Sequence, residues 1–99
     1  MNASLQVDGR ALDMKPFVET YLANVCHAIL RSLKGTEGAQ QATFRMQGKN
    51  LELLVNDQPL DLHMDKAFAR VIVRDTLLGV LSHLRGTRKW SEILVRVTL

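Results

Sequence analysis

The feature that most constrains the fold of this chain is an internal repeat. Residues 4–14 align with residues 52–62 at an offset of 48, and residues 15–47 align with residues 66–98 at an offset of 51. Eleven of the 44 aligned pairs are identical: Leu5/Leu53, Val7/Val55, Leu12/Leu60, Asp13/Asp61, Lys15/Lys66, Phe17/Phe68, Leu30/Leu81, Leu33/Leu84, Gly35/Gly86, Thr36/Thr87 and Arg45/Arg96. The shared order of these landmarks predicts a duplicated unit and two halves of similar structure.

Each half opens with an extended segment that contains a turn. Asp8-Gly9 lies between apolar residues and is a two-residue hairpin signal, because glycine adopts a positive φ at no steric cost. Asn56-Asp57 stands at the equivalent place in the second half and is a weaker form of the same signal. Both turns predict a short strand just before the helix of their half.

A helix and a closing strand complete each half. The first helix is predicted over residues 16–34, with Pro16 in its first turn, where the missing N–H is not needed. The second begins after Asp65, a suitable N-cap, and each helix ends before a glycine, Gly35 or Gly86. Alternating apolar and polar residues then predict a strand near residues 43–46 and another over residues 93–99.

The element order therefore predicts an α+β fold. We expect a two-layer sandwich made from a duplicated (β)βαβ unit, with two helices on one face of a mainly antiparallel sheet. The sheet is either ferredoxin-like or a six-stranded variant, depending on whether the extra strand of each half pairs fully. With 99 residues, 46% of them hydrophobic, residues 1–99 are predicted to form a single domain from halves 4–47 and 52–98.

Composition also excludes several classes of protein. The single cysteine, Cys26, rules out an intramolecular disulfide, a cysteine-based zinc knuckle and a CxxC redox pair. No apolar run approaches the roughly 20 residues of a membrane span, and the first residues lack the basic and apolar blocks of a signal peptide. We therefore expect a soluble, cytoplasmic protein.

The second helix carries more apolar residues than one buried stripe needs. Val71 and Leu78 fall where the first helix has Thr20 and His27, and Leu81 adds apolar surface on the flank. Apolar residues on the solvent side of a helix are usually covered by something. These three residues predict a protein interface, most simply a homodimer through the second helix, although a loop or the N-terminal segment could cover them instead.

A basic loop supports a different interpretation. Arg85, Arg88, Lys89 and Trp90 bring three cations and an aromatic ring together, which could neutralise phosphates and stack on a base. The net charge of the chain is only +3, however, and the predicted open face of the sheet carries Ser4, Gln6, Arg45, Glu52, Arg96 and Thr98 instead of aromatic residues. A solvated helix end with Trp90 anchoring its loop is the preferred interpretation.

Signals for catalysis and metal binding are weak. His27, His63 and His83 lack metal-ligand spacing, and Cys26 falls on the buried stripe of its helix. No phosphate-binding loop or nucleophile motif occurs. We therefore expect no enzymatic activity, no metal and no cofactor. The function predicted is a small soluble protein-interaction domain that self-associates through its second helix, with exposed strand edges as a further route to partners. The alternative is a weak nucleic-acid or anion-binding protein that uses residues 85–90.

Overall fold

A computed structural model of the chain describes residues 2–33, 36–60, 66–84, 86–87 and 89–99. These residues form six strands and two helices. In chain order they are β1 (Asn2–Val7), β2 (Arg10–Leu12), α1 (Pro16–Ser32), β3 (Gln41–Gln47), β4 (Asn50–Val55), β5 (Gln58–Pro59), α2 (Lys66–Leu81) and β6 (Glu92–Thr98).

All six strands belong to one antiparallel sheet, in the order β2-β1-β6-β3-β4-β5. The predicted α+β fold is confirmed in its six-stranded form. Its outermost strands are short, with three residues in β2 and two in β5. Each pairs with the strand before it and reverses the chain ahead of a helix, so the ferredoxin-like order is not formed.

The order of the strands is symmetric about the centre of the sheet. Exchanging β1 for β4, β2 for β5 and β3 for β6 gives the same order, read from the opposite edge. The two hairpin turns are also alike. Asp8 and Gly9 have φ of 51° and 81°, and Asn56 and Asp57 have φ of 50° and 64°, as a turn between twisted strands requires. This symmetry is what the repeat predicts, although a duplication as the origin of the halves stays a prediction.

One face of the sheet holds the core, because apolar residues alternate with polar ones along β1, β3, β4 and β6. Phe44 points into this core, as its alternation with Arg45 predicts. Leu22, Cys26 and Leu77 cover it from the two helices. Both helices therefore lie on the same face of the sheet, and the other face is open.

The buried stripe of each helix is rotated from the predicted one. The apolar spacing of the first helix predicts a buried stripe of Val18, Leu22, Cys26, Ile29 and Leu33. Ile29 and Leu33 are only half-buried, however, and Leu30 is buried instead. The expectation that Leu81 adds exposed apolar surface is likewise wrong, because Leu81 is 1% exposed and belongs to the core. The reason is that a helix lying on a sheet buries the residues one turn apart that face the sheet, while the apolar residues beside them face the neighbouring helix.

Candidate protein-interaction surface

The solvent side of the two helices forms one continuous surface. Its members lie roughly opposite the buried residues of their helix, given about 100° of rotation per residue. We call this the outer helical surface and define it by the exposed residues Phe17, Tyr21, Asn24, Ala28 and Arg31 of α1 and Ile72, Asp75 and Gly79 of α2.

Large apolar side chains protrude from this surface. Phe17 is 76% exposed, Tyr21 48% and Ile72 47%. The rings of Phe17 and Tyr21 lie with their centroids 6.0 Å apart at a tilt of 35°, so they form one aromatic ridge on α1. Ile72 occupies on α2 the place that Tyr21 occupies on α1, because the two residues are equivalent in the repeat.

Two apolar grooves lie between the helices. The first, of about 360 Å³, is formed by the end of α1 and the start of α2. The second, of about 570 Å³, is formed by the start of α1 and the end of α2. The first is lined by Ala28, Ile29, Ser32, Leu33, Ala69, Ile72 and Val73, and the second includes Phe17, Val18, Tyr21, Val25, Gly79, Val80 and Leu84. The helices therefore leave apolar surface uncovered along the line where they face each other.

The grooves are equivalent in the repeat. Adding or subtracting 51 takes Ile29 to Val80, Leu33 to Leu84 and Ile72 to Tyr21, each of which lines the second groove. Both halves of the chain thus leave the same kind of apolar recess beside the same kind of protruding side chain. Each groove is lined by residues of both helices, with an exposed large apolar side chain at its edge.

Few charges interrupt the outer helical surface. Among the exposed residues of α1, all of them described, Arg31 is the single charged one. Asp75 is its only charged counterpart among the described outer residues of α2, and the Asp75 side chain is 67% exposed. Solvated helix faces normally carry many charges. A face with one cation and one anion is unusually easy to dehydrate.

The three residues predicted as the interface do not form a common exposed patch. Leu81 is in the core, and Leu78 is half-buried and packs against it. Val71 is 56% exposed. It lies on the flank of α2 that also carries Arg74, whose guanidinium donates hydrogen bonds to the Gly48 carbonyl at 2.7 and 3.2 Å. That flank faces the β3–β4 turn, away from α1.

The outer helical surface is not apparent from the residue pattern of either helix alone. The grooves exist only where α1 and α2 lie side by side, and no spacing within one helix reveals that. A signal was nevertheless present, since the solvent side of α1 places Phe17, Tyr21 and Ala28 where charged residues are expected.

The basic loop is only partly described. Arg85 and Arg88 lie outside the described residues. Lys89 is exposed, whereas Trp90 is half-buried and packs against the core, as expected of a loop anchor. The Thr87 hydroxyl donates to the carbonyls of Leu81 and Leu84, both at 2.8 Å, and closes the end of α2.

The open face of the sheet has a polar character. Ser4, Gln6, Glu52, Arg96 and Thr98 are exposed, and the described strands place no aromatic residue on this face. Arg45 pairs with Glu92 at 2.9 Å, and the Gln47 amide donates to the same carboxylate at 2.8 Å. One cation of this face, Arg45, is therefore already paired with an anion of the same chain.

Reactive groups are scarce in the part of the chain that the structure describes. Cys26 is buried, and this burial raises the pKa of its thiol to about 12, so the thiol stays protonated at neutral pH. No group of three potential metal ligands occurs among the described residues. Neither α1 nor the described part of α2 is long and apolar enough to cross a membrane.

Comparisons of the chain with protein-family models, with curated proteins and with solved structures find no match. A function for the chain therefore has to rest on its own residues.

Proposed function

We propose that this chain is a small self-associating protein-interaction domain whose contact surface is the outer helical surface. The observation that carries the proposal is the pair of apolar grooves between α1 and α2, flanked by the protruding side chains of Phe17, Tyr21 and Ile72. Contiguous exposed apolar surface of this kind is typical of interaction sites. The proposal keeps the homodimer expected from the sequence but moves its interface from one helix to both.

A second copy is the occupant that this surface fits best. A twofold interface uses the same patch on both subunits, so the patch has to complement itself. Here the aromatic ridge of Phe17 and Tyr21 can fill an apolar groove of the other copy, and the reverse contact forms by symmetry. The single cation Arg31 and the single anion Asp75 are also complementary between copies.

The proposal assigns no catalytic role to the chain. The thiol of Cys26 is held protonated inside the core, where it serves as a small apolar side chain. A lone buried thiol suits a reducing compartment, and we expect the domain to work as a soluble protein of the cytoplasm.

Two neighbouring residues on α2 allow a matched test of where the interface lies. Ile72 lies on the outer helical surface, and Val71 lies on the flank of α2 that faces the β3–β4 turn. Both are exposed β-branched residues. Ile72→Lys should raise the dimer Kd at least about tenfold, or roughly 1.4 kcal/mol, because it places a charge in the interface. Val71→Lys should leave the Kd unchanged. Sedimentation velocity from micromolar to millimolar protein measures both.

Gln6→Lys on the open face of the sheet provides a second control and should behave like the unmodified chain. If the unmodified chain sediments as a monomer over the whole range, the proposed function is wrong. If Val71→Lys dissociates the dimer and Ile72→Lys does not, the interface predicted from the sequence replaces the outer helical surface.

A further inference from the structure

Gly79 lies in the last turn of α2, two residues before the helix ends at Leu81, and no contact among the described residues requires a glycine there. Its backbone is helical, with no positive φ that would require glycine. A Cβ built on Gly79 would meet nothing within 4 Å, so no described part of the chain needs the space. Glycine is less favourable than alanine in a helix, and alanine would fit at this position without strain.

A glycine that is costly and has open space above it suggests close approach by another chain. Gly79 lies on the outer helical surface and lines the second groove. Its equivalent in α1 is Ala28, which is also exposed and lines the first groove. The distance between two packed helices depends on the side chains at the contact, and small residues allow the shortest one.

Charges close to these two residues are complementary. Asp75 precedes Gly79 by four residues, and Arg31 follows Ala28 by three, so each charge is about one turn from the small residue on its helix. Among the described residues, Asp75 has one ion-pair contact, with Arg74 at 3.8 Å, and its side chain is 67% exposed. If Gly79 faced Ala28 of another copy and the two helices ran in opposite directions, Asp75 would come within reach of Arg31 of that copy.

We infer that α1 of a second copy crosses α2 at Gly79, with Ala28 of the second copy facing the glycine. This inference rests on the proposed function and specifies how the two copies meet. The twofold axis repeats the contact, so the interface contains two such crossings and two ion pairs between Arg31 and Asp75.

The first experiment enlarges the small residue. Gly79→Leu should raise the dimer Kd at least about 30-fold, or abolish the dimer, because the added side chain holds the helices apart. The variant should still fold, since the space above Gly79 is open within the chain. Gly79→Ala should raise the melting temperature of the monomer by about 4–8 °C and still weaken the dimer. Thr20→Leu, on the flank of α1 away from α2, is the control and should leave the Kd unchanged.

The second experiment exchanges the charges. Arg31→Asp and Asp75→Arg should each raise the Kd about fivefold or more, because each places like charges together, and the double variant should recover most of the loss. Sedimentation velocity and circular dichroism are measured on every variant. A dimeric unmodified chain whose Kd is unaffected by Gly79→Leu overturns the crossing alone. A monomeric unmodified chain overturns both the crossing and the proposed function.

Discussion

The two halves of the chain perform the same structural tasks with different residues. In the first half, the hairpin turn is held by a carboxylate: Asp8 Oδ1 accepts the backbone N–H groups of Ser91 and Glu92, both at 2.8 Å. In the second half, Asn56 Oδ1 accepts those of Gln40 and Gln41, at 2.9 and 3.2 Å. In both halves, one side-chain oxygen at the turn accepts two consecutive backbone N–H groups, although the side chain is charged in one half and neutral in the other.

The ends of the two helices are also alike, and here the same residue type makes the hydrogen bonds in both halves. The Thr36 hydroxyl donates to the carbonyls of Leu30 and Leu33, at 2.5 and 3.1 Å, just as Thr87 does to those of Leu81 and Leu84. Both threonines thus satisfy carbonyl groups that a helix end leaves without partners within the helix. The halves differ in exposure, since Thr87 is buried and Thr36 is half-buried.

The largest effect that tests this equivalence is expected in the core. Leu30 and Leu81 are equivalent leucines, 2% and 1% exposed. Leu30→Ala and Leu81→Ala should each lower the free energy of unfolding by about 2–5 kcal/mol, through lost burial and a new cavity. Urea unfolding followed by circular dichroism measures both. A cost at one site without a similar cost at the other would show that the halves contribute unequally to the core.

A smaller and unequal effect is expected at the helix ends. Thr87→Val should lower the free energy of unfolding by about 1–3 kcal/mol, because it leaves two carbonyl groups without their donor in a buried place. Thr36→Val should cost less, about 0.5–1.5 kcal/mol, because water can reach its carbonyl groups. The same unfolding experiment compares the two variants, and equal losses would contradict the role given to burial.

The smallest effect is expected at the turns and depends on pH. Backbone N–H groups of Glu92 and Ser91 hold the pKa of the Asp8 carboxyl below its usual 3.8. The folded chain therefore binds fewer protons at this carboxyl than the unfolded chain, and the stabilisation is present above about pH 4 and is lost as the pH falls below it. Asp8→Asn should remove this part of the acid sensitivity through a small loss of stability at pH 7, where the unmodified chain has the ionised carboxyl.

Asn56→Asp is the reciprocal variant and should add acid sensitivity to the second half. Melting temperatures between pH 2.5 and pH 7 measure both variants. An acid transition that is the same in Asp8→Asn as in the unmodified chain would show that the Asp8 hydrogen bonds are no stronger for the carboxylate than for an amide.

The fold could be predicted because its signals are local. Turn residues such as Asp8-Gly9, helix-ending residues such as Gly86 and the alternation around Phe44 each act within a few residues of the chain, so the sequence carries them directly. The position of the helices relative to one another is not local. The sequence predicts Ile29 in the core, but the residue lines the groove between the helices. An apolar side chain has the same pattern in the sequence whether it faces the sheet or the neighbouring helix.

The candidate surface was predicted less well for the same reason. The excess of apolar residues in the second helix predicts one exposed patch. Leu81 is buried in the core instead, and Leu78 packs against the core. The glycine at position 79 could have been noticed from the sequence as a cost to its helix. Its meaning depends on the open space above it, which only a three-dimensional structure shows.

The two edges of the sheet limit how copies of the chain can add to one another. An incoming strand needs a row of free N–H and C=O groups, and long flat edges offer such a row to any extended chain. Here β2 provides only three residues and β5 only two, and Pro59 in β5 has no N–H group to donate. Each edge therefore offers an incoming strand few backbone groups for pairing. The short edge strands thus disfavour open-ended growth into fibres.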